Sequence, residues 1–369
     1  MLNLSKELVR LGHEVDIYTC SGTRNGERLP AYDYVEGLNV QRFRSVFSLG
    51  EFGRVWPGFL SKILNGGYDV LHAHAYRHPH TDLSRLAARV TGSGCVLTAH
   101  SPFHPNGVRA SFAGALVGVY DELIAKVSLR SFDRIVSLTQ AEARILESLG
   151  GERRKIVVIP HGVEQVHFER AGTWRLARRL GLDGNKVVLY LGRINRTKGL
   201  HTLVEAFSLV SKQSPEAVLV IAGPSSNEEE DEYLRSLQRS SADLGVGERV
   251  IFTGKLSEDD KLSAYDLCSV FVLPSVYEPY GIVLLEAAAH GKPLLSSRTD
   301  GPLSIVRDGE NGYTFAPGDP YELAQRMAQL LSDEDLAERL GANARVLAMG
   351  YSWEKVARET LNAYESCAS

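Results

Sequence analysis

Short apolar runs alternate with stretches in which apolar residues recur every three or four positions along almost the whole chain. The apolar runs predict strands at 15–19, 40–43, 70–73, 95–99, 134–138 and 156–160, and further on at 187–191, 217–222, 250–253, 269–273 and 293–296. The helical periodicity predicts helices at 2–11, 82–90, 140–149, 200–212, 231–244, 259–265, 281–289 and 320–331. Strands that alternate with helices are typical of parallel sheets covered by helices, so the predicted fold class is α/β.

Two separate series of strand and helix units indicate two domains, because 369 residues are many for a single core. We predict a Rossmann-like N-terminal domain at 1–165, completed by a crossover helix at 350–369. A second Rossmann-like domain at 166–349 would face it. A doubly wound domain normally opens with a strand, whereas this chain begins inside a predicted helix. We therefore expect the first domain to lack its opening strand.

Charge and composition exclude some classes of protein. The formal net charge is -4 and no basic stripe is present, which argues against a nucleic-acid partner. The four cysteines are far apart and fit neither a zinc site nor a disulfide framework. No apolar run approaches the roughly 20 residues that cross a bilayer. These features predict a cytoplasmic protein, and the sequence does not indicate its oligomeric state.

One segment, 112–132, raises the alternative of peripheral attachment at the inner face of the membrane. It mixes Leu, Val and Phe with Lys126 and Arg130. Asp121 and Glu122 weaken its cationic side, so a helix that lines the core or a cleft is the favoured interpretation.

The most informative motif is Glu278-Pro-Tyr-Gly-Ile-Val-Leu-Leu-Glu286, directly after the predicted strand 269–273. Glu278 would lie in the loop at the carboxyl end of that strand, where ligands collect in open α/β sheets. Gly281 would allow close approach to a ligand at a helix start, whose free N–H groups favour phosphate. Glu286 would point inward further along the helix. The pattern suits a diphosphate with hydroxyls on both sides, as in a nucleotide sugar; a surface Glu and a salt-bridged Glu are the alternative.

A second motif places Arg193 and Lys198 in a glycine-containing turn between the predicted strand 187–191 and the next helix. Two cations at a helix start oppose the helix dipole, so an anion that needs them explains their presence better. Arginine can fork onto phosphate oxygens, and lysine adds a point charge. A solvated basic loop is the alternative.

Histidines follow two predicted strands of the first half, at His72, His74, His100 and His104. Carboxyl ends of strands are where catalytic side chains lie in such folds. We predict that His100 contacts a sugar. Metal binding and plain packing are the alternatives that the pattern leaves open.

Taken together, the Gly192 to Gly199 turn, the Glu278 to Glu286 segment and Asp308-Gly-Glu-Asn-Gly312 resemble the signature of retaining glycosyltransferase family 4, which has the GT-B fold. The closing segment 351–357 is similar to the one by which the last helix of that family returns to the first domain. The resemblance implies transfer of a hexosyl group from a nucleotide-diphosphate sugar to a hydroxyl of a glycan, lipid or small molecule. It implies no metal and no other cofactor.

The resemblance also implies roles for individual residues. Arg193 and Lys198 would hold the donor diphosphate, and Glu286 the ribose hydroxyls. His100 and Glu278 are the catalytic candidates, because both would contact the transferred sugar. Backbone N–H groups would support sugar and phosphate at Tyr280, Gly281, Ile282 and Val283. A same-fold sugar phosphorylase, a nucleotide-sugar epimerase and an inactive nucleotide-sugar-binding subunit are the alternative functions.

Overall fold

The structure is a computed structural model that describes residues 1–22, 29–49, 53–100, 118 and 120–367. His104 and most of the segment 112–119 lie outside the described residues. Contacts divide the chain into two compact units, Met1–Gly162 with Trp353–Ser369, and Val163–Ser352. We call them the N-terminal unit and the C-terminal unit.

Among the described residues, helices and strands alternate from residue 70 to residue 297. The helices are Leu2–Arg10 (α1), Leu60–Gly66 (α2), Pro79–Thr91 (α3), Lys126–Arg130 (α4), Gln140–Ser148 (α5), Trp174–Leu180 (α6), Leu200–Val210 (α7), Glu228–Asp243 (α8), Glu258–Leu267 (α9), Ile282–Ala289 (α10), Pro320–Ser332 (α11), Glu334–Met349 (α12) and Trp353–Glu365 (α13). The strands are Asp16–Cys20 (β1), Tyr32–Val35 (β2), Leu38–Phe43 (β3), Phe47–Leu49 (β4), Gly53–Val55 (β5), Val70–His74 (β6), Gly94–Thr98 (β7), Arg134–Ser137 (β8), Ile156–Val158 (β9), Lys186–Leu191 (β10), Ala217–Ala222 (β11), Val250–Gly254 (β12), Cys268–Leu273 (β13), Leu294–Ser297 (β14) and Gly312–Phe315 (β15).

The N-terminal unit contains a parallel sheet of order β6-β7-β8-β9. A second sheet has the order β1-β3-β2, and in its described part it shares no hydrogen-bond ladder with the first. The Tyr68 hydroxyl bridges the two, since it lies 2.6 Å from Asp16 Oδ2 and 2.5 Å from the Tyr18 hydroxyl. Strand β7 is buried at every position, which explains its continuous apolar sequence.

The C-terminal unit is built on a sheet of order β12-β11-β10-β13-β14-β15, in which every pairing is parallel. The strands run outward from the centre in two directions, β10 to β12 on one side and β13 to β15 on the other. The order therefore reverses between β10 and β13, where a doubly wound sheet opens a crevice at the carboxyl ends of its strands.

The predicted α/β class with parallel sheets is confirmed. The strands that the sequence did not predict are short or exposed, namely β2, β4, β5 and β15. Tyr32 and Tyr34 of β2 are largely exposed, so no alternation of apolar and polar residues marks it. Helix α12 was also missed; its N-cap is Asp333, whose side chain accepts a hydrogen bond from Leu336 N–H.

The helical segment at 121–130 buries only one of its faces. Ala125 and Leu129 are buried in the core of the N-terminal unit, whereas Leu123 and Val127 are mostly exposed. The buried face agrees with the favoured interpretation of this segment, a helix that lines the core or a cleft. Among the described residues no helix is both long and apolar enough to cross a membrane.

Gly199 is a glycine whose replacement we expect to destabilise the C-terminal unit. Its φ is +63°, and an added Cβ would lie 2.1 Å from the Pro274 carbonyl oxygen. Gly181 has a φ of +65° with open space around it, so it is a matched control that isolates the backbone strain. Alanine at Gly181 should cost about 1 kcal/mol of unfolding free energy, and alanine at Gly199 clearly more, because the clash is with backbone. Denaturant midpoints measure both; equal losses would contradict the close approach.

Candidate active site

Two loops meet at the point where the order of the C-terminal sheet reverses. The loop after β10 runs through a short helical turn, Arg196–Lys198, and the loop after β13 leads into α10. Val276 N–H donates to the Thr197 carbonyl at 2.8 Å, so the two loops are joined by backbone. Both follow buried neighbouring strands, and this rigid base fixes the side chains that the loops carry.

Lys198 and Glu278 form an ion pair across these loops, with Lys198 Nζ 2.7 Å from Glu278 Oε2. Their side chains are only 18% and 11% exposed. Ser275 Oγ lies 3.4 Å from the same carboxylate oxygen. Each charge therefore has a partner, and removal of either would leave the other partly buried and unpaired.

The backbone is tight around the start of α10. Gly281 has a φ of +87° and precedes the first helical residue. A Cβ at Gly301 would lie 2.4 Å from the Glu278 carbonyl oxygen and 2.5 Å from Tyr280 N, so the loop after β14 touches the Glu278 loop directly. Tyr280 is buried, Val283 half-buried, and Ile282 is exposed at the helix start.

Arg193 stands on the same loop as Lys198 but is oriented differently. Its Nη1 lies 3.8 Å from Glu230 Oε1, and the side chain is 47% exposed. The Tyr190 hydroxyl donates to the Arg193 carbonyl and fixes the loop backbone rather than the guanidinium. The structure thus joins Lys198 to Glu278 directly and leaves the Arg193 head group near the surface.

Glu286 lies one turn inside α10, where the Tyr265 hydroxyl donates to its Oε2 at 2.6 Å. Lys261 Nζ and His167 Nε2 approach its Oε1 at 3.9 Å and 3.6 Å. Burial raises the pKa of Glu286, and Lys261 and Tyr265 oppose that rise. The side chain is turned inward, as the sequence predicts, into a pocket of polar groups from α9 and from the turn Gln165–Phe168.

The N-terminal unit gathers histidines at the carboxyl ends of its parallel strands. His74 Nδ1 lies 2.8 Å from His100 Nε2, and the His72 ring stacks on His74. The His100 ring also stacks on His161, and His100 has a φ of +49°, a left-handed conformation that a non-glycine residue seldom adopts. Such backbone outliers cluster at functional sites, which supports a role for His100 without defining it.

Burial keeps these histidines neutral. It lowers the pKa of His100 to about 4 and that of His161 to about 3, with the His100 charge adding to the effect at His161. Among the described residues no group of three or more His, Cys, Asp or Glu side chains is arranged to hold a metal ion.

Because burial lowers the pKa of His161, we expect the folded protein to lose stability in acid, and the variant His161→Gln tests this. The folded pKa of His161 lies below the value near 6.5 of an unfolded chain, so the unfolded state binds more protons as the pH falls. Stability is therefore present above pH 6.5 and lost on acidification. Between pH 7 and pH 5 the wild type should lose about 2 kcal/mol more than the variant. Urea midpoints at both pH values measure this, with the exposed His13→Gln as control; parallel losses in wild type and His161→Gln would contradict it.

Sequence reasoning missed four residues of these two clusters, namely His161, His167, Lys261 and Tyr265. His161 directly follows the predicted strand 156–160, so it lies at the carboxyl end of a strand as His100 does, and the same signal could have identified it. Lys261 and Tyr265 are four residues apart and therefore share a face of α9. This spacing gains meaning only from the structure, which shows that the face packs against Glu286. No signal in the sequence marks His167.

The parallel sheet and the reversal of its strand order between β10 and β13 define a Rossmann-like α/β unit, with the paired lysine and glutamate at its switch point. The chain belongs to the group 1 glycosyl transferases, since residues 173–347 match the family model described as glycosyl transferases group 1. Residues 1–165 match the model described as glycosyltransferase family 4. The predicted family is thereby confirmed.

Individual proteins agree with this membership. The chain is 33% identical to a D-inositol 3-phosphate glycosyltransferase of Acidothermus cellulolyticus, over 81% of this chain and 67% of that protein. It is 30% identical to a phosphatidyl-myo-inositol mannosyltransferase of Mycobacterium leprae, over 83% and 76%. The crystal structure of Anabaena HepE, in complex with UDP and glucose, is 21% identical with a TM-score of 0.74, covering 89% of this chain and 87% of that one. This likeness shows the GT-B fold.

Proposed function

We propose that the protein is a retaining hexosyltransferase that moves a sugar from a nucleoside diphosphate to an acceptor hydroxyl. The observation that carries the proposal is the Lys198–Glu278 pair at the switch point, beside the tight start of α10. A cation there suits a diphosphate, and the adjacent carboxylate suits sugar hydroxyls. HepE binds UDP and glucose, which supports a donor of this kind.

We propose for the individual residues the roles that the family resemblance implies. Lys198 holds the diphosphate, and Arg193 turns from Glu230 to join it. Glu286 accepts hydrogen bonds from the ribose hydroxyls. Glu278 contacts the transferred sugar, and for His100 a sugar contact stays a prediction from the sequence. Backbone N–H groups support sugar and phosphate at Tyr280, Gly281, Ile282 and Val283.

Transfer then proceeds by attack on the face from which the diphosphate departs. The bond from the anomeric carbon to the phosphate oxygen breaks as the bond to the acceptor oxygen forms. The acceptor proton passes to an oxygen of the leaving phosphate. Lys198 and the N–H groups of α10 stabilise the charge that develops on the diphosphate. We propose that no metal is needed, because side chains and backbone supply this stabilisation.

The site described above suggests contacts for the donor but none for the acceptor. Two relatives carry inositol acceptors in their names, so myo-inositol phosphate and an inositol lipid are the first acceptors to test. Peripheral contact with a lipid surface would suit the second acceptor. The exposed Leu123 and Val127, next to Lys126, support such a contact.

A thermal-shift screen with UDP-, GDP- and ADP-sugars tests the proposal. One of them should stabilise the protein by about 2.7 kcal/mol at a hundredfold excess over its Kd, with the same shift in EDTA. A free hexose at equal concentration is the control. Stereochemistry of the product from the stabilising donor tests retention. If none of the three donors raises the melting temperature, the proposal is wrong.

A further inference from the structure

The loop after β10, which carries Arg193, has a fixed backbone. Gly192 N–H donates to the Ala222 carbonyl at 2.9 Å, and Ile194 N–H donates to the Pro224 carbonyl at 3.0 Å. These bonds tie the loop to the end of β11 and to the segment that leads from β11 into α8. Adjustment to a ligand therefore falls to the side chains of the loop rather than to its backbone.

Helix α8 presents two buried side chains, Glu230 and Tyr233, to the arginines of this loop. They are three residues apart and so share one face of the helix. Arg193 Nη1 lies 3.8 Å from Glu230 Oε1, and Arg196 Cζ lies 5.1 Å from the centre of the Tyr233 ring. The Tyr233 hydroxyl is fixed in turn, since it lies 3.0 Å from His201 Nδ1. Each arginine of the loop thus has a partner on α8.

The carboxylate of Glu230 is held in place at the start of α8. Its Oε2 accepts from Ser226 N–H at 2.7 Å, and the Asn227 side chain accepts from Glu230 N–H at 2.9 Å, an arrangement similar to a capping box. Its Oε1 faces Arg193 at a distance at which opposite charges attract but no hydrogen bond forms. The negative charge therefore has a fixed position, whereas the guanidinium is held by attraction alone.

Arg193 and Lys198 differ in how tightly they are paired. Lys198 Nζ lies 2.7 Å from Glu278 Oε2, and both of these side chains are mostly buried. At the wider Arg193–Glu230 separation the arginine side chain is 47% exposed and the glutamate 9%. A partly exposed ion pair is weak, because water screens it. Arg193 is therefore the cation that can exchange its partner readily when an anion binds.

We propose that Glu230 is a positioning residue that competes with the donor diphosphate for Arg193. In the free protein it holds the guanidinium beside α8. When the donor binds, the guanidinium moves to the phosphate oxygens, which its forked donors suit, and it returns to Glu230 as the nucleoside diphosphate leaves. The inference rests on the proposed function, in which Arg193 holds the diphosphate. Glu230 itself does not contact the ligand.

Calorimetry on Glu230→Gln tests the competition, with whichever of UDP, GDP and ADP stabilises the wild type most. Glutamine keeps an oxygen that accepts from Ser226 N–H, so the start of α8 stays intact, but it lacks the charge that attracts the guanidinium. The variant should bind the nucleoside diphosphate about two- to fivefold more tightly, the range expected for release from an exposed ion pair. Stopped-flow kinetics should show dissociation slowed by a similar factor.

Glu232→Gln is the matched control, because it removes an exposed carboxylate from the same helix. Its affinity should equal that of the wild type. In an Arg193→Gln background, Glu230→Gln should give no gain, since no guanidinium remains to be released. An equal gain in both backgrounds would mean that Glu230 repels the ligand directly, and this result would overturn the competition. An unchanged or weaker affinity in Glu230→Gln alone would overturn it as well.

Nitrogen-15 NMR of arginine-labelled protein without ligand tests the resting position of Arg193. Its guanidinium signal, assigned with Arg193→Gln, should shift in Glu230→Gln and stay in place in Glu232→Gln. A signal that does not shift in Glu230→Gln would overturn the proposal whether or not any nucleotide binds. If no nucleoside diphosphate binds to the wild type or the variants, the proposed function fails and the competition fails with it. Binding without a gain in Glu230→Gln overturns the competition alone.

Discussion

Lys198→Ala is expected to lower kcat/KM for sugar transfer roughly 100- to 1000-fold, which corresponds to about 2.7 to 4 kcal/mol of transition-state stabilisation. The ammonium lies in a fixed loop at the switch point and is held 2.7 Å from Glu278, so it needs little reorganisation to meet a phosphate. The same variant should weaken binding of the free nucleoside diphosphate, because the diphosphate is common to donor and product. Steady-state kinetics and calorimetry measure the two effects.

The exposed Lys212→Ala is the control, since it removes an equal charge from the same unit without touching these loops. Lys198→Arg keeps the charge but not the shape of the head group, and it should recover part of the activity. Wild-type kinetics in Lys198→Ala would remove Lys198 from the proposed donor site. Melting curves should accompany the kinetics, because they show whether the variant is still folded at the assay temperature. Activity that is lost while the protein stays folded is then assigned to the missing ammonium.

Glu278→Gln is expected to separate sugar contact from diphosphate binding. The amide keeps the size of the side chain and an acceptor for Lys198, but it lacks the charge that strengthens hydrogen bonds to sugar hydroxyls. Turnover should fall roughly 100-fold, while affinity for the free nucleoside diphosphate stays the same or rises, because Lys198 is less engaged. Lys198→Ala lowers both quantities, so the pair of variants distinguishes the two roles.

Glu310→Gln, on the exposed turn before β15, is the control for the loss of one carboxylate from the same unit. The double variant of Lys198 and Glu278 should lose less than the two single effects combined, because the side chains are in contact and act together. Strict additivity would indicate that the two residues act independently. A parallel loss of turnover and nucleotide affinity in Glu278→Gln would contradict the proposed sugar contact.

The parallel sheets were predictable because their strands are buried on both sides and carry continuous apolar sequence, as in β7 and β11. Local chemistry also predicted the loops that hold Lys198 and Glu278, since each loop directly follows such a strand. The sequence could not show that these two side chains form an ion pair, because they are 80 residues apart. Contact at that separation depends on strand order, and the sequence leaves strand order open.

The same limit explains what was missed around Glu286 and His100. The partners of Glu286 come from the turn Gln165–Phe168 and from α9, which pack on α10 only in the folded sheet. For Arg193 the sequence predicts a cation in the loop after β10. The direction of its side chain toward Glu230 could not be predicted, because Glu230 lies on α8, a helix further along the chain. Burial, which lowers the pKa of His161 and raises the pKa of Glu286, is a property of the assembled unit and has no local signature in the chain.

The return of α13 to the N-terminal unit bears on how the chain is made. Trp353, Val356 and Ala357 share a core with Leu4 and Leu8 of α1. Because synthesis runs from the N-terminus to the C-terminus, α1 is made long before α13 and that core cannot close until α13 follows, whereas the continuous Val163–Ser352 stretch can mature sooner. During synthesis the apolar side of α1 lacks its partner helix until α13 has been made.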